Sequence, residues 1–134
     1  MTAANRRRGA DAERSVVAWL RANGWPDARR YLAGDGRQPG DIDAIPGIAI
    51  EVKDRAASAW PTWQHQALTE ARGRIPVVVR RTRGVRSVGL WTARTPADYH
   101  PTTPRAYCPR TGIWWAVAGF EDIICHLTRE DTPE

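Results

Sequence analysis

Residues Gly40 to Lys53 read GDIDAIPGIAIEVK, and this stretch decides the fold. Asp41 to Ile45 and Ile48 to Lys53 are short, β-prone and bounded by turn residues, so each is expected to be a strand. Pro46-Gly47 between them predicts a tight turn and therefore a hairpin. Side chains alternate across a strand. In the second strand Ile48, Ile50 and Val52 share a face suited to a core, and Glu51 and Lys53 share the other. In the first, Asp41 and Asp43 share a face opposite Ile42 and Ala44. A hairpin can set the Asp41/Asp43 face beside the Glu51/Lys53 face, which gathers carboxylates and one ammonium group at one place.

Clustered carboxylates repel and raise one another's pKa. A hard divalent cation relieves that repulsion. Mg²⁺ takes oxygen ligands, usually one or two carboxylates with water and substrate phosphate completing the shell. An adjacent ammonium group offsets charge that develops during hydrolysis. Lys53 adds weight here, because it is the only lysine among 20 basic residues. Where arginine is the basic residue at every other position, a lone lysine asks for a chemical reason.

On the N-terminal side, Ala10 to Ala22 has helical periodicity, with Val16, Val17 and Leu20 as its apolar stripe and Gly24 as a stop. Glu13 falls on that stripe, where a carboxylate is costly without a partner. Residues 1–8 read as a loose basic arm. Ala28 to Leu32 is expected to be a first strand, and LAGDGRQPG a loop. On the C-terminal side, Trp60 to Arg72 is expected to be a helix, with Pro61 in its first turn. Ile75 to Arg80 and Val85 to Thr92 are expected to be strands, 93–111 irregular, Ile113 to Val117 a short strand and Phe120 to Leu127 a closing helix. The fold class is α/β, a single domain with a central mixed sheet flanked by helices, in the order α-β-β-β-α-β-β with a C-terminal strand and helix. The core is expected over about 9–92, with 93–134 a C-terminal extension.

The 134 residues suit one domain with a real core. No apolar run reaches the length that spans a bilayer. The opening MTAANRRRGADAER has no apolar segment behind its arginines, unlike a secretory signal, so a cytoplasmic setting is expected. Cys108 and Cys125 fit a reducing compartment rather than a disulfide framework. With His126 they show no zinc-site spacing and lack a fourth ligand. Trp114 and Trp115 face opposite ways if they lie on a strand, which leaves one at the surface or at a dimer contact. A net charge of +5 and a pI near 10.0 favour polyanionic partners, of which nucleic acid is the commonest. Such an arginine-rich, lysine-poor composition suits a phage or a GC-rich bacterium.

The Asp41…Glu51-Val52-Lys53 pattern resembles the PD-(D/E)XK nuclease superfamily, with Gly40-Asp41 in place of the usual Pro-Asp. The first helix, within GADAERSVVAWLRANGW, is similar to that of archaeal-type Holliday junction resolvases, in which a glutamate completes the site; Glu13 stands at that position. The likeness runs from about Arg8 to Thr92. It implies a restriction-endonuclease-like core and a Mg²⁺-dependent endonuclease, with Mn²⁺ able to substitute, acting in DNA recombination and repair. It implies Glu13, Asp41, Glu51 and Lys53 as the catalytic set. Asp41, Glu51 and the Val52 carbonyl would bind metal, with Glu13 and Asp43 as further candidates. Asp41 is preferred to Asp43 because the acidic residue of the family opens its strand. Lys53 would assist the attacking water. A glutamine in the following helix lies near metal or DNA in related nucleases, and of Gln64 and Gln66 the latter is preferred. Branched four-way junctions as substrate and a homodimer follow from the same likeness. Arg6, Arg7, Arg8, Arg14, Arg37 and Arg55 flank the site as candidate DNA contacts, and Arg80, Arg81, Arg83 and Arg86 add a basic turn. The alternatives are another nuclease of the superfamily (VRR-type, repair or restriction-like) and a non-catalytic basic DNA-binding protein.

Overall fold

The structure is a computed structural model that describes residues 2–31, 38–101 and 104–129. Its elements in chain order are helix α1 (Ala3–Ala22), strands β1 (Arg29–Arg30), β2 (Ile42–Asp43) and β3 (Ile48–Lys53), helix α2 (Trp60–Glu70), strands β4 (Ile75–Arg80), β5 (Thr92–Pro96), β6 (Arg105–Cys108) and β7 (Ile113–Gly119), and helix α3 (Phe120–Thr128). The seven strands form one mixed sheet in the order β1-β2-β3-β4-β5-β7-β6. The β3–β4 pair is parallel and the others are antiparallel. A parallel pair needs a crossover, and α2 supplies it.

The sheet is the middle of three layers. On one face, Ala12, Val16, Val17 and Leu20 of α1 and Phe120, Ile123 and Ile124 of α3 pack on Ile42, Ile48, Ile50, Val52, Val77 and Val79. On the other, Trp60, Trp63 and Ala67 of α2 pack on Val78. Burial of a side chain such as Leu20 or Ile50 contributes roughly 1.5–3 kcal/mol, so the aliphatic stripe of α1 is what holds that helix to the sheet. β3 has the alternation expected of it, with Ile48, Ile50 and Val52 under α1 and Glu51 and Lys53 turned to the α2 side.

Three expectations need correction. Residues 3–8 are not a loose arm but the first turns of α1: the Thr2 side chain caps the helix by accepting a bond from the Asn5 N–H at 3.1 Å. The segment from Val85 does not form a strand before Thr92. Val85, Val88 and Trp91 recur every third residue, which suits a turn rather than a pleat, and all three reach the α1–α3 core. Trp91 Nε1 closes the turn on the Val85 carbonyl at 2.9 Å. Finally, 93–111 carries β5 and β6, so the C-terminal third is part of the sheet and not an extension. The prolines border these strands: Pro96 ends β5, while Pro104 and Pro109 flank β6. On β7 Trp115 is buried, and Trp114 is 54% exposed on the opposite face. Both cysteines are free.

Candidate active site

The hairpin sets the site. Pro46-Gly47 turns the chain, and Ile42 pairs with Ile50, which brings Asp41 to the C-terminal half of β3. The Asp41 N–H donates to the Ile50 carbonyl at 2.7 Å. Its carboxylate Oδ2 accepts from the Val52 N–H at 2.8 Å. The Lys53 carbonyl accepts from the Arg81 N–H across the parallel pair, so the peptide groups of Val52 point the other way, toward Asp41. Gly40 has a physical reason for standing before Asp41. Its φ is +83°, and a Cβ there would lie 2.6 Å from the Ile50 carbonyl oxygen. Gly40→Ala is therefore expected to destabilise the protein by about 2–4 kcal/mol, the sum of left-handed strain and a backbone clash, measurable by chemical denaturation.

Asp41, Val52 and Lys53 open on a cleft of about 250 Å³ whose opposite wall is α1. Arg6, Gly9, Ala10 and Glu13 recur at three- and four-residue steps, so one helix face supplies that wall, with small residues at its middle. Arg30 and Arg55 also line the cleft. Glu13 is held by Arg30, whose Nε donates to Oε1 at 2.8 Å. That pairing resolves the cost of a carboxylate on an apolar stripe. Burial and the nearby Asp41 charge push the Glu13 carboxyl up, and Arg30 and Arg14 oppose them. Asp41 is also raised, mainly by burial; the Val52 N–H and Lys53 pull it back.

Glu51 is the most constrained member. It is 3% exposed, and burial pushes its carboxyl up to about 10, with help from the Glu70 and Asp41 carboxyls beside it. Its Oε1 is buried with no hydrogen-bond partner. With the Asp41 and Glu70 carboxyls nearby, this buried carboxyl keeps its proton in the metal-free protein. Lys53, on the same face, points Nζ at Gln66 Oε1, 3.4 Å away.

Glu13, Asp41, Val52 and Lys53 line the cleft together with Arg6 and Arg55; Glu51 is buried behind Asp41, and Gln66 stands beside Lys53. Asp43 is not among them: it pairs with Arg29 at 3.1 Å on the β1 side. Arg14 is turned to Asp11, Arg7 lies outside the cleft, and Arg8 lines a neighbouring groove. Arg37 lies outside the described residues. Gln64 has a different task, accepting from Arg94 Nη1 at 3.0 Å while that guanidinium stacks on Trp60. As the side chains stand, no group of three His, Cys, Asp or Glu residues among the described residues could hold a metal ion. Asp41 is turned to the Val52 N–H and Glu13 to Arg30, which leaves Glu51 as the unpartnered oxygen.

No family model, no curated protein and no solved structure matches this chain. The site therefore rests on its own geometry. Two of its members escaped the sequence reading, Arg30 and Glu70. Glu70 carried a usable signal, since it lies four residues after Gln66 and so on the same face of α2. Arg30 carried none, because its partner Glu13 lies 17 residues away on another element. No helix among the described residues is long and apolar enough to cross a membrane.

Proposed function

We propose that this chain is a metal-dependent endodeoxyribonuclease with a restriction-endonuclease-like core, acting on branched DNA as a Holliday junction resolvase does. The observation that carries the reading is the buried, unpartnered Glu51 oxygen beside Asp41, with Lys53 on the same face. Hard carboxyl oxygens placed in this way suit Mg²⁺, which would take the place of the proton on Glu51. Asp41, Glu51 and the Val52 carbonyl are the groups that would hold it, with Glu13 near Asp41. When bound, Mg²⁺ supplies Lewis-acid activation of a phosphodiester and of a water. Lys53, oriented by Gln66, offsets the charge that grows on the phosphate and positions the water. Arg6 and Arg55 hold the flanking phosphates. A four-way junction takes two symmetric cuts, so the reading includes a homodimer.

Two measurements test it. Millimolar Mg²⁺ or Mn²⁺ is expected to raise the melting temperature, because a ligand of the native state alone stabilises by mass action. Asp41→Asn should abolish the rise, and an equal response in both proteins would put the metal elsewhere. With Mg²⁺ present, a four-way junction, a splayed arm and a linear duplex are then compared. Fast paired cuts in the junction alone support the resolvase. Equal cutting of linear duplex favours a repair or restriction-like nuclease, and binding without cutting a basic DNA-binding protein.

A further inference from the structure

Beside the cleft lies a second and larger groove, of about 650 Å³. It runs between α1 and the connection from β4 to β5. Arg8 and Ser15 line one wall; Arg81, Arg83 and Arg86 line the other. Asp54 lines both this groove and the cleft, so the two share a boundary. The groove holds four guanidinium groups against that single carboxylate, and Arg81 already pairs with it at 3.6 Å. Arg81 also leans on the Trp91 ring, 6.0 Å from its centroid. The carboxylate is thus neutralised and Arg81 is held in place before any ligand arrives. Arg83 and Arg86 are exposed and have no ion pair among the described residues. Arg80, by contrast, spends its guanidinium on the Arg55 and Ala56 carbonyls and is structural. A pre-held cation flanked by unpaired ones, in an open polar channel, suits a repeating polyanion, since less ordering entropy is lost on binding.

We propose that this groove is a second phosphodiester-binding site, which grips the backbone of a DNA arm after it leaves the cleft at the Asp54–Arg81 boundary. The proposal rests on the nuclease reading and deepens it: the substrate is a DNA long enough to occupy both channels, and the β4–β5 turn is a contact distinct from the cleft arginines.

The test is DNA binding in EDTA, which removes cleavage from the readout. Fluorescence anisotropy of a duplex of about 30 base pairs, over a salt series, gives the number of phosphate contacts from the slope of log K against log salt. The double variant Arg83→Ala, Arg86→Ala is expected to lower that slope by about 2, close to one per lost contact, and to weaken binding on the order of tenfold at physiological salt. Arg83→Lys, Arg86→Lys should restore the slope, because lysine keeps the point charge. Unchanged circular dichroism and melting temperature establish that the Ala variant folds. If its slope and affinity match wild type, the groove proposal is overturned and the nuclease reading stands. Wild-type protein with no salt-dependent DNA binding overturns both. Loss of DNA binding to inorganic phosphate at matched ionic strength would assign the groove to the free anion and overturn the proposal.

Discussion

Lys53→Arg is expected to fold normally, to bind DNA at close to wild-type affinity, and to lose at least about a hundredfold in cleavage, the scale of removing one transition-state donor. Arginine is the basic residue at every other position in this chain, and the change keeps the charge. It does not keep the shape. Lysine is a compact ammonium, whereas guanidinium is planar and grips oxygens as a bidentate fork. The Lys53 ammonium lies 3.4 Å from Gln66 Oε1 and lines the cleft with Asp41. A guanidinium at that place has carboxylate oxygens of Asp41 and Glu51 to clamp, in competition with a cation. Single-turnover cleavage under saturating enzyme separates the chemical step from binding. Cutting at the wild-type rate would reduce Lys53 to a charge with no chemical duty and remove most of the case for a nuclease.

Glu51→Gln is expected to act in opposite directions on activity and on stability. Cleavage should fall below detection, because a metal-holding oxygen is replaced by an amide. DNA affinity should persist and remain salt-dependent, because the arginines are untouched. The metal-free fold should gain. Burial holds the Glu51 carboxyl near 10 against 4.5 for an ordinary glutamate. The folded state therefore keeps a proton that the unfolded chain gives up. Stability from this group is complete below about pH 4.5 and declines as pH rises toward 10. In EDTA, wild-type protein should lose melting temperature steadily from pH 5 to pH 9; the variant should lose less, keeping only the smaller fall from the raised Asp41 and Glu13 carboxyls. At pH 9 we expect the variant to melt at least about 5 °C higher. A wild-type melting temperature independent of pH over this range would show that Glu51 ionises freely and that the carboxyl junction is open to water.

What the sequence determined by itself was local and periodic. Alternation in Ile48 to Lys53 separated the residues that pack under α1 from Glu51 and Lys53. β4 was legible from its aliphatic run, α2 from its proline-bearing start, and α3 from its apolar spacing, because each signal lies within one element. Glu13 was legible as a carboxylate out of place on an apolar stripe. The tertiary structure decided who answers whom. Arg30 neutralises Glu13, Arg29 draws Asp43 away, and Arg94 engages Gln64 from 30 residues along the chain. Glu70 joins Glu51 because the β3–β4 crossover lays α2 over that face of the sheet. β5 and β6 were hidden behind prolines that cap strands as readily as they break them. Their residues are held by β7, and that pairing depends on a strand order, β5-β7-β6, which no local window of sequence contains. Hydrogen bonds and ion pairs between elements follow from where the sheet sets each strand, whereas periodicity follows from the chain's own geometry.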